Sequence, residues 1–415
     1  MAYSHATSAA TTLVTPTIIA KEALMHVANN MVMGRLVHRE YKNEFNKVGS
    51  SINLRKPVTF SATEATKRTN TSIVEYAQAF TVTQQVHVSW GFTSTQLTQT
   101  VDEYSKRYIQ PAALALANYV DVDLCDLYNQ VAQFAGTPGT TPNTYGALGD
   151  CQTILDNAAC PEGRVAVLDP NAHWAMADGL KGTFAQKPVN DIHTKGYLGT
   201  VAGLDIHKDQ NIARHLCGDY DVANSTPINK TALTAGAYQM DMDNWDTTVA
   251  DALNAGDVFT IGNSAATNVY AVNPVSGVST GVLYQFVALN DEAVVTTECT
   301  ADIFLSTSQG CQITGQYKNM SIFPATGAVV NFVNGTENTY YPQNLIFHPN
   351  AFGLVVMPLA MPAGVWGSRV TDKQTALSIR IVKDYEIYYD EEIIRMDILY
   401  GVSALHPHFA CRLTG

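Results

Sequence analysis

Residues 50–93 read SSINLRKPVTFSATEATKRTNTSIVEYAQAFTVTQQVHVSWGFT, and this stretch decides the fold. Its flanks, SINLRKPVTF and AFTVTQQVHVSWGFT, alternate or are β-branched, the pattern of strands, while the middle, ATEATKRTNTS, is polar. The pattern predicts a two-stranded hairpin with arms of about ten residues, extending some 30 Å at roughly 3.3 Å per residue. Such a hairpin is too long to be packed by its own few apolar groups. Arg55 and Lys56 lie in the first arm and Lys67 and Arg68 at the tip. On an acidic chain, a projecting basic hairpin reads as a reach onto a neighbouring subunit rather than as a nucleic-acid finger.

The rest of the composition agrees with assembly. The chain has 415 residues, enough for two or three domains. Only 15% are charged, with 46% hydrophobic, against about 25% charged in ordinary soluble proteins. A large chain with so little charge keeps much of its surface against neighbours. The balance of 25 basic to 37 acidic side chains, formally −12, excludes a protein whose main task is gripping phosphate backbones. The charge is also split: residues 1–92 carry nine Lys/Arg and five Asp/Glu, a net of +4, and residues 93–415 carry sixteen and thirty-two, a net of −16. The two parts attract, within one chain or between chains. No apolar run reaches the roughly 18 residues of a membrane span and no secretory signal is recognisable, so a soluble protein made in the cytoplasm is expected. The seven cysteines are irregularly spaced without a C-x-x-C pair, which favours buried free thiols over bridges.

Outward from the hairpin, Thr15 and Pro16 open a helix with apolar Ile18, Ile19, Ala23, Leu24, Val27 and Met31, ending near Gly34. A polar arm precedes it. Downstream, the capping box at Thr100–Glu103 starts a helical pattern of some thirty residues through Val131, about 50 Å long, which Pro111 is expected to kink or split. Asp121, Asp123 and Asp126 on it read as a solvated face. A helix at Gly149–Asn157, the strand RVAVLDP and a helix start at NAHWAMADGL then alternate α and β. Residues 221–331 differ from their surroundings, with ten Asp/Glu, two Lys/Arg and short strands about ten residues apart. They read as a small barrel or sandwich inserted into a host domain. The chain returns with NLIFHPNAFGLVVMPLAMP and ends in the strands SIRIVKDYEIYYD and EEIIRMDILYGVSAL.

The search for chemistry is largely negative. Gly277–Gly281 spells G-x-S-x-G, but a nucleophile elbow needs a strand before and a helix after, whereas Ser279 stands between two strand patterns. His406, His408 and Cys411 suggest a metal corner without a fourth ligand. Asp241, Asp243 and Asp246 resemble the start of a calcium loop but lack its glycine and its terminal glutamate. The glycines at 196, 199 and 203 do not spell a dinucleotide fingerprint. No catalytic, metal or cofactor site is expected.

The order of elements resembles the major capsid proteins of tailed bacteriophages, which share the Johnson fold. It is most similar to the coat protein family of the short-tailed Salmonella phage. The stretches that carry the resemblance are TPTIIAKEAL and MGRLVHREY, INLRKPV and HVSWGFT, YIQPAALALANYVDVDL, GDVFTIG and VYAVNP, NLIFHPNAFGLVVMPL, and IRMDILYGVSALHP. The resemblance implies an α+β fold with an N-terminal arm (1–49), an extended loop (50–93), and a peripheral domain with a spine helix (94–140 and 373–415). It further implies an axial domain (141–220 and 332–372) interrupted by an inserted β-barrel (221–331). The implied function is an icosahedral head shell of pentamers and hexamers of this one chain, enclosing double-stranded DNA held loosely. Scaffolding protein, a portal protein and a decoration protein are the implied partners, with no membrane and no cofactor, and Arg55, Lys56, Lys67 and Arg68 are the candidate assembly contacts. The alternatives are an encapsulin-like compartment shell, or a hydrolase using Ser279.

Overall fold

The computed structural model describes residues 16–41, 51–56, 60, 66, 75–93, 108–180, 198–220, 227–246, 249, 251–304, 310–362, 364–372 and 376–415. In chain order, helices α1 (Pro16–Asn30) and α2 (Met33–Leu36) are followed by β1 (Ser51–Arg55), β2 (Ala77–Thr81) and β3 (Gln84–Thr93). Next come α3 (Gln110–Cys125), a 3-10 turn at Asp126–Gln130, β4 (Phe134–Gly136), α4 (Tyr145–Asn157), β5 (Val165–Leu168) and α5 (Pro170–Leu180). Strands β6 (Thr200–Val201), β7 (Leu204–Lys208) and β8 (Arg214–Leu216) lead into a block of short strands: β9 (Ile228–Asn229), β10 (Gln239–Asp243), β11 (Asp251–Leu253), β12 (Val258–Ile261) and β13 (Tyr270–Val272). The block continues with β14 (Ser279–Leu283), β15 (Gln285–Val287), β16 (Glu292–Ala293), β17 (Cys299–Asp302) and β18 (Val330–Phe332). The chain closes with β19 (Tyr340–Phe347), β20 (Phe352–Met357), β21 (Trp366–Thr371), β22 (Ser378–Glu386), β23 (Glu391–Ala404) and β24 (Ala410–Thr414).

Two sheets organise these elements. The first is built on the 14-residue β23, whose one edge carries β3 from Glu391 to Tyr400. Its other edge carries β22 and then β20, with β21 outside β22. The burial pattern of β22 and β23 leaves an apolar face of Ile379, Ile381, Ile394, Met396 and Ile398, and α1 and α3 bury it in one core with Ala23, Val27, Leu116 and Val120. At about 25 cal/mol per Å² of apolar surface, this core is the main reason the long strands and the spine helix hold together. The second sheet runs β4-β24-β19-β5-β7-β6, with β8 also on β19; only β24–β4 and β5–β7 are parallel. Its companions are α4, capped where the Ala147 N–H donates to Thr144 Oγ1 at 3.2 Å, and α5.

Residues 227–333 form four small antiparallel sheets of two or three strands around a separate core that includes Met240, Trp245, Phe259, Phe286 and Met320. The mixed α+β class read from the sequence stands.

Several local expectations change. The second hairpin arm is two strands: β2 pairs with β1 in register Ser51–Thr81 to Arg55–Ala77, while β3 turns away at Val82 and Thr83 and joins β23. Tyr108 and Ile109 are π-helical and run into α3, whose first turn holds Pro111, so the regular helix changes character at the proline, while residues 100–107 lie outside the described residues. Asp121 is buried, not solvated: Val32 N–H and Gly34 N–H donate to its two oxygens at 2.6 and 3.0 Å, so it ties α2 to the spine. The closing strand β24, which has no alternating pattern, lies inside the second sheet between β4 and β19. All seven cysteines are free and buried.

Candidate functional site

The base of the hairpin separates the two described candidates. Arg55 is 82% exposed and pairs with Glu75 at 3.5 Å, the geometry of a surface ion pair that contributes little by itself and is open to a partner. Lys56 turns the other way. Its backbone N–H donates to Tyr76 O at 2.8 Å, and burial alone lowers its amine to about 8. Tyr76 carries the ribbon onto the 227–333 block by packing its ring 4.6 Å from that of Tyr317. Lys67 and Arg68 lie outside the described residues.

Lys56 lines a cleft of about 590 Å³ where the ribbon base, the 227–333 block and the elbow between β23 and β24 meet. The cleft wall is apolar, with Val282, Tyr284, Phe304 and Phe409, and its basic groups are Lys56, Lys318, His406 and His408. The two imidazoles have ring centroids 5.6 Å apart. Burial pulls His406 down to about 4, with the nearby Lys56 adding to the shift, while His408 is exposed at the cleft mouth. Cys411, the third member of the suspected metal corner, lies elsewhere, in the core between α4 and β24, where its thiol hydrogen-bonds with that of Cys151. The three residues are therefore not brought together.

A buried polar hub lies where β8, β24, the 3-10 turn and the 227–333 block converge. Asp257 Oδ1 accepts from His215 Nε2 at 2.8 Å, Tyr220 OH at 3.0 Å and Asn334 Nδ2 at 2.5 Å. Asp257 Oδ2 accepts from Asn254 N–H at 2.7 Å and Gly218 N–H at 3.1 Å. With Nε2 donating, His215 Nδ1 accepts from Tyr128 OH at 3.1 Å. The Arg412 guanidinium donates to Gly256 O at 2.7 Å and lies over the Tyr128 ring, 5.6 Å from its centroid. Burial lowers Arg412 to about 10 and raises Tyr128 to about 12. Only glycine fits this close to the carboxylate at 218, since a Cβ there would meet Ala252 O at 2.5 Å and Asp257 Oδ2 at 2.8 Å.

His215, Cys217 and Asp257 are close enough to hold a metal ion, a cluster that sequence reading missed because its members are up to 42 residues apart. The chemistry of the donor set speaks against that use. Both carboxylate oxygens are already filled by five donors, and the Arg412 cation occupies the same interior. We read the hub as a weld between the 227–333 block and the sheet on β19: the Asp257 carboxylate is fully hydrogen-bonded, as a buried carboxylate must be, whereas Arg412 Nε and Nη2 and Asn334 Oδ1 are buried without a partner among the described residues.

The remaining motifs resolve simply. Ser279 opens β14 in the β13–β14 hairpin, exposed, with its Oγ accepting from Gly281 N–H at 3.3 Å, so the motif is strand, turn, strand. Asp241 and Asp243 alternate along β10, where their carboxylates accept from the Thr300 and Thr297 hydroxyls. Among the described residues no helix is long and apolar enough to cross a membrane.

The profile of the family described as P22 coat protein, gene protein 5, matches residues 6–415. The chain belongs to the P22 coat protein family. It is a major capsid protein of a phage head shell, a structural protein of the virion and not an enzyme. No curated protein matches it. Among solved structures it is similar to one from Mycobacterium phage Che8, at 12% identity over 92% of this chain and 90% of that one, with a TM-score of 0.47. The capsid of Cyanophage P-SCSP1u gives 12% identity, 92% and 87% coverage and a TM-score of 0.44. A virus-like particle from Pyrococcus furiosus gives 8% identity, 95% and 96% coverage and a TM-score of 0.40.

Proposed function

We propose that this coat protein closes an icosahedral shell of pentamers and hexamers around double-stranded DNA, assembling in the host cytoplasm with scaffolding and portal proteins. The observation that carries the reading is the family match over residues 6–415. The charge split supports it: a segment of net +4 faces a body of net −16, so neighbours attract without covalent chemistry. An acidic average holds packaged DNA loosely. A decoration protein fits the same reading as an added partner.

In this reading the sheet on β23, with α1 and α3, is the peripheral domain, and the sheet on β19 is the axial domain. The 227–333 block is the inserted barrel-like domain, braced by the Asp257 hub. The contacts to neighbours are made by Arg55, Lys67 and Arg68, with Lys56 anchoring the ribbon. The test is deletion of residues 62–71. A folded subunit that fails to form particles is expected, and an unchanged particle yield by electron microscopy would sink the assignment.

A further inference from the structure

The turn joining β22 to β23 is the most apolar exposed point among the described residues. Ile387, Tyr388 and Tyr389 are 85, 84 and 65% exposed, and the two tyrosine rings pack edge to face with centroids 4.8 Å apart. The turn is held in shape by Tyr385 OH donating to Asp390 Oδ1 at 2.6 Å. It is also acidic, with Asp384, Glu386, Asp390, Glu391 and Glu392 in nine consecutive residues. Three large apolar side chains ordered on a rigid turn inside an acidic collar are a costly surface for water and a suitable anchor for a pocket.

The cleft at the ribbon base has the complementary character. Its described lining is apolar with two lysines and two histidines and contains no carboxylate, in a protein of net charge −12. Its volume of about 590 Å³ lies in the range that buries a few large side chains. The tip cannot fill its own cleft. The tip precedes Glu391 and the cleft residue His406 follows Ala404, so the 14 residues of β23 separate them by about 45 Å at 3.3 Å per residue.

We propose that the Ile387–Tyr389 tip of one subunit inserts into the Lys56–His406 cleft of a second copy of this chain. The proposal rests on the shell-forming function and names one of its contacts. A tip at one end of a strand and its receptor at the other make a heterologous, head-to-tail contact, which propagates into rings instead of stopping at a dimer. Burial lowers Lys56 and His406, and an acidic collar at the cleft mouth favours their charged forms. The inward turn of Lys56, unsuited to reaching outward, then has a use: it receives.

The test is cysteine cross-linking in assembled particles. Tyr388→Cys and Val282→Cys in one chain place a thiol on the exposed tip and another on the cleft wall, while the seven native thiols are buried. Under mild oxidation the double variant is expected to give a ladder of dimers, trimers and higher species on non-reducing gels, absent from either single variant. Where the double variant alone forms no particles, equal amounts of the Tyr388→Cys and Val282→Cys single variants are co-assembled, and there a cross-linked dimer takes the place of the ladder as the expected product. In parallel, Ile387→Asp should lower particle yield at a given protein concentration by about thirtyfold, the order expected for loss of a central anchor. Particles of normal yield from Ile387→Asp, particles without a ladder or, on co-assembly, a dimer, or a cross-link to a scaffolding or host protein instead would each overturn the docking and leave the shell function standing. Failure of the wild-type chain to form particles would instead overturn the shell function.

Discussion

Replacing Asp121 by asparagine should change how stability depends on pH. The carboxylate is buried against α2, and burial raises it from an ordinary 3.8 to about 7, outweighing the two N–H donors, Val32 and Gly34, that favour its charge. Asp209 raises it further, and Arg35 opposes. The folded pKa lies above the unfolded one, so the contribution is fully present below about 3.8 and is lost as pH rises to about 7. At about 1.4 kcal/mol per tenfold change in proton affinity, the full loss is about 4 kcal/mol. The asparagine side chain of the variant is neutral throughout but offers one acceptor to two N–H groups, at a cost of about 1–3 kcal/mol. The wild type should therefore be the more stable at pH 4, and its advantage should vanish or reverse by pH 8. Urea midpoints of the unassembled subunit across this range measure the difference, in which most other ionisable groups cancel. A difference between wild type and Asp121→Asn that stays constant with pH would refute the reasoning.

Two further perturbations address the cleft and the weld. Lys56, at about 8, should carry roughly a hundredfold more free amine at pH 8 than an ordinary lysine; competitive acylation read by mass spectrometry should mark it first in free subunits, and uniform labelling of all lysines would contradict the burial argument. Asp257→Ala strands His215, Tyr220, Asn334 and two backbone N–H groups, so it should destabilise the subunit by about 3–5 kcal/mol in urea unfolding; a loss below about 1 kcal/mol would show that the hub is not a weld.

What the sequence revealed and what it hid follow from range. Periodicity located α1, β22 and β23, because those patterns are local consequences of one buried face, and the short apolar run VAVL located β5, which is buried throughout. The change in charge and strand spacing marked out the run of short strands that forms the small sheets of the 227–333 block. The split of the second hairpin arm was not, since AFTVTQQVHVSW reads as one strand and only its partners, β1 and β23, divide it. β24 was hidden because a strand buried on both faces shows no alternation. Asp121 looked solvated because its spacing was weighed only against Asp123 and Asp126, while its partners lie nearly ninety residues upstream. The hub depends on His215, Asp257, Asn334 and Arg412, four separate segments that no spacing rule connects. Of the four assembly candidates, Arg55 lies exposed as the charge argument requires and Lys56 faces a cleft; a lysine's direction on a strand end is a tertiary fact.

The central claim, that this chain builds a shell, is tested most directly by size. The purified chain, examined by negative-stain electron microscopy, should yield closed particles of uniform diameter. A stable 45.0 kDa monomer under the same conditions, with no tendency to form shells, would contradict the account.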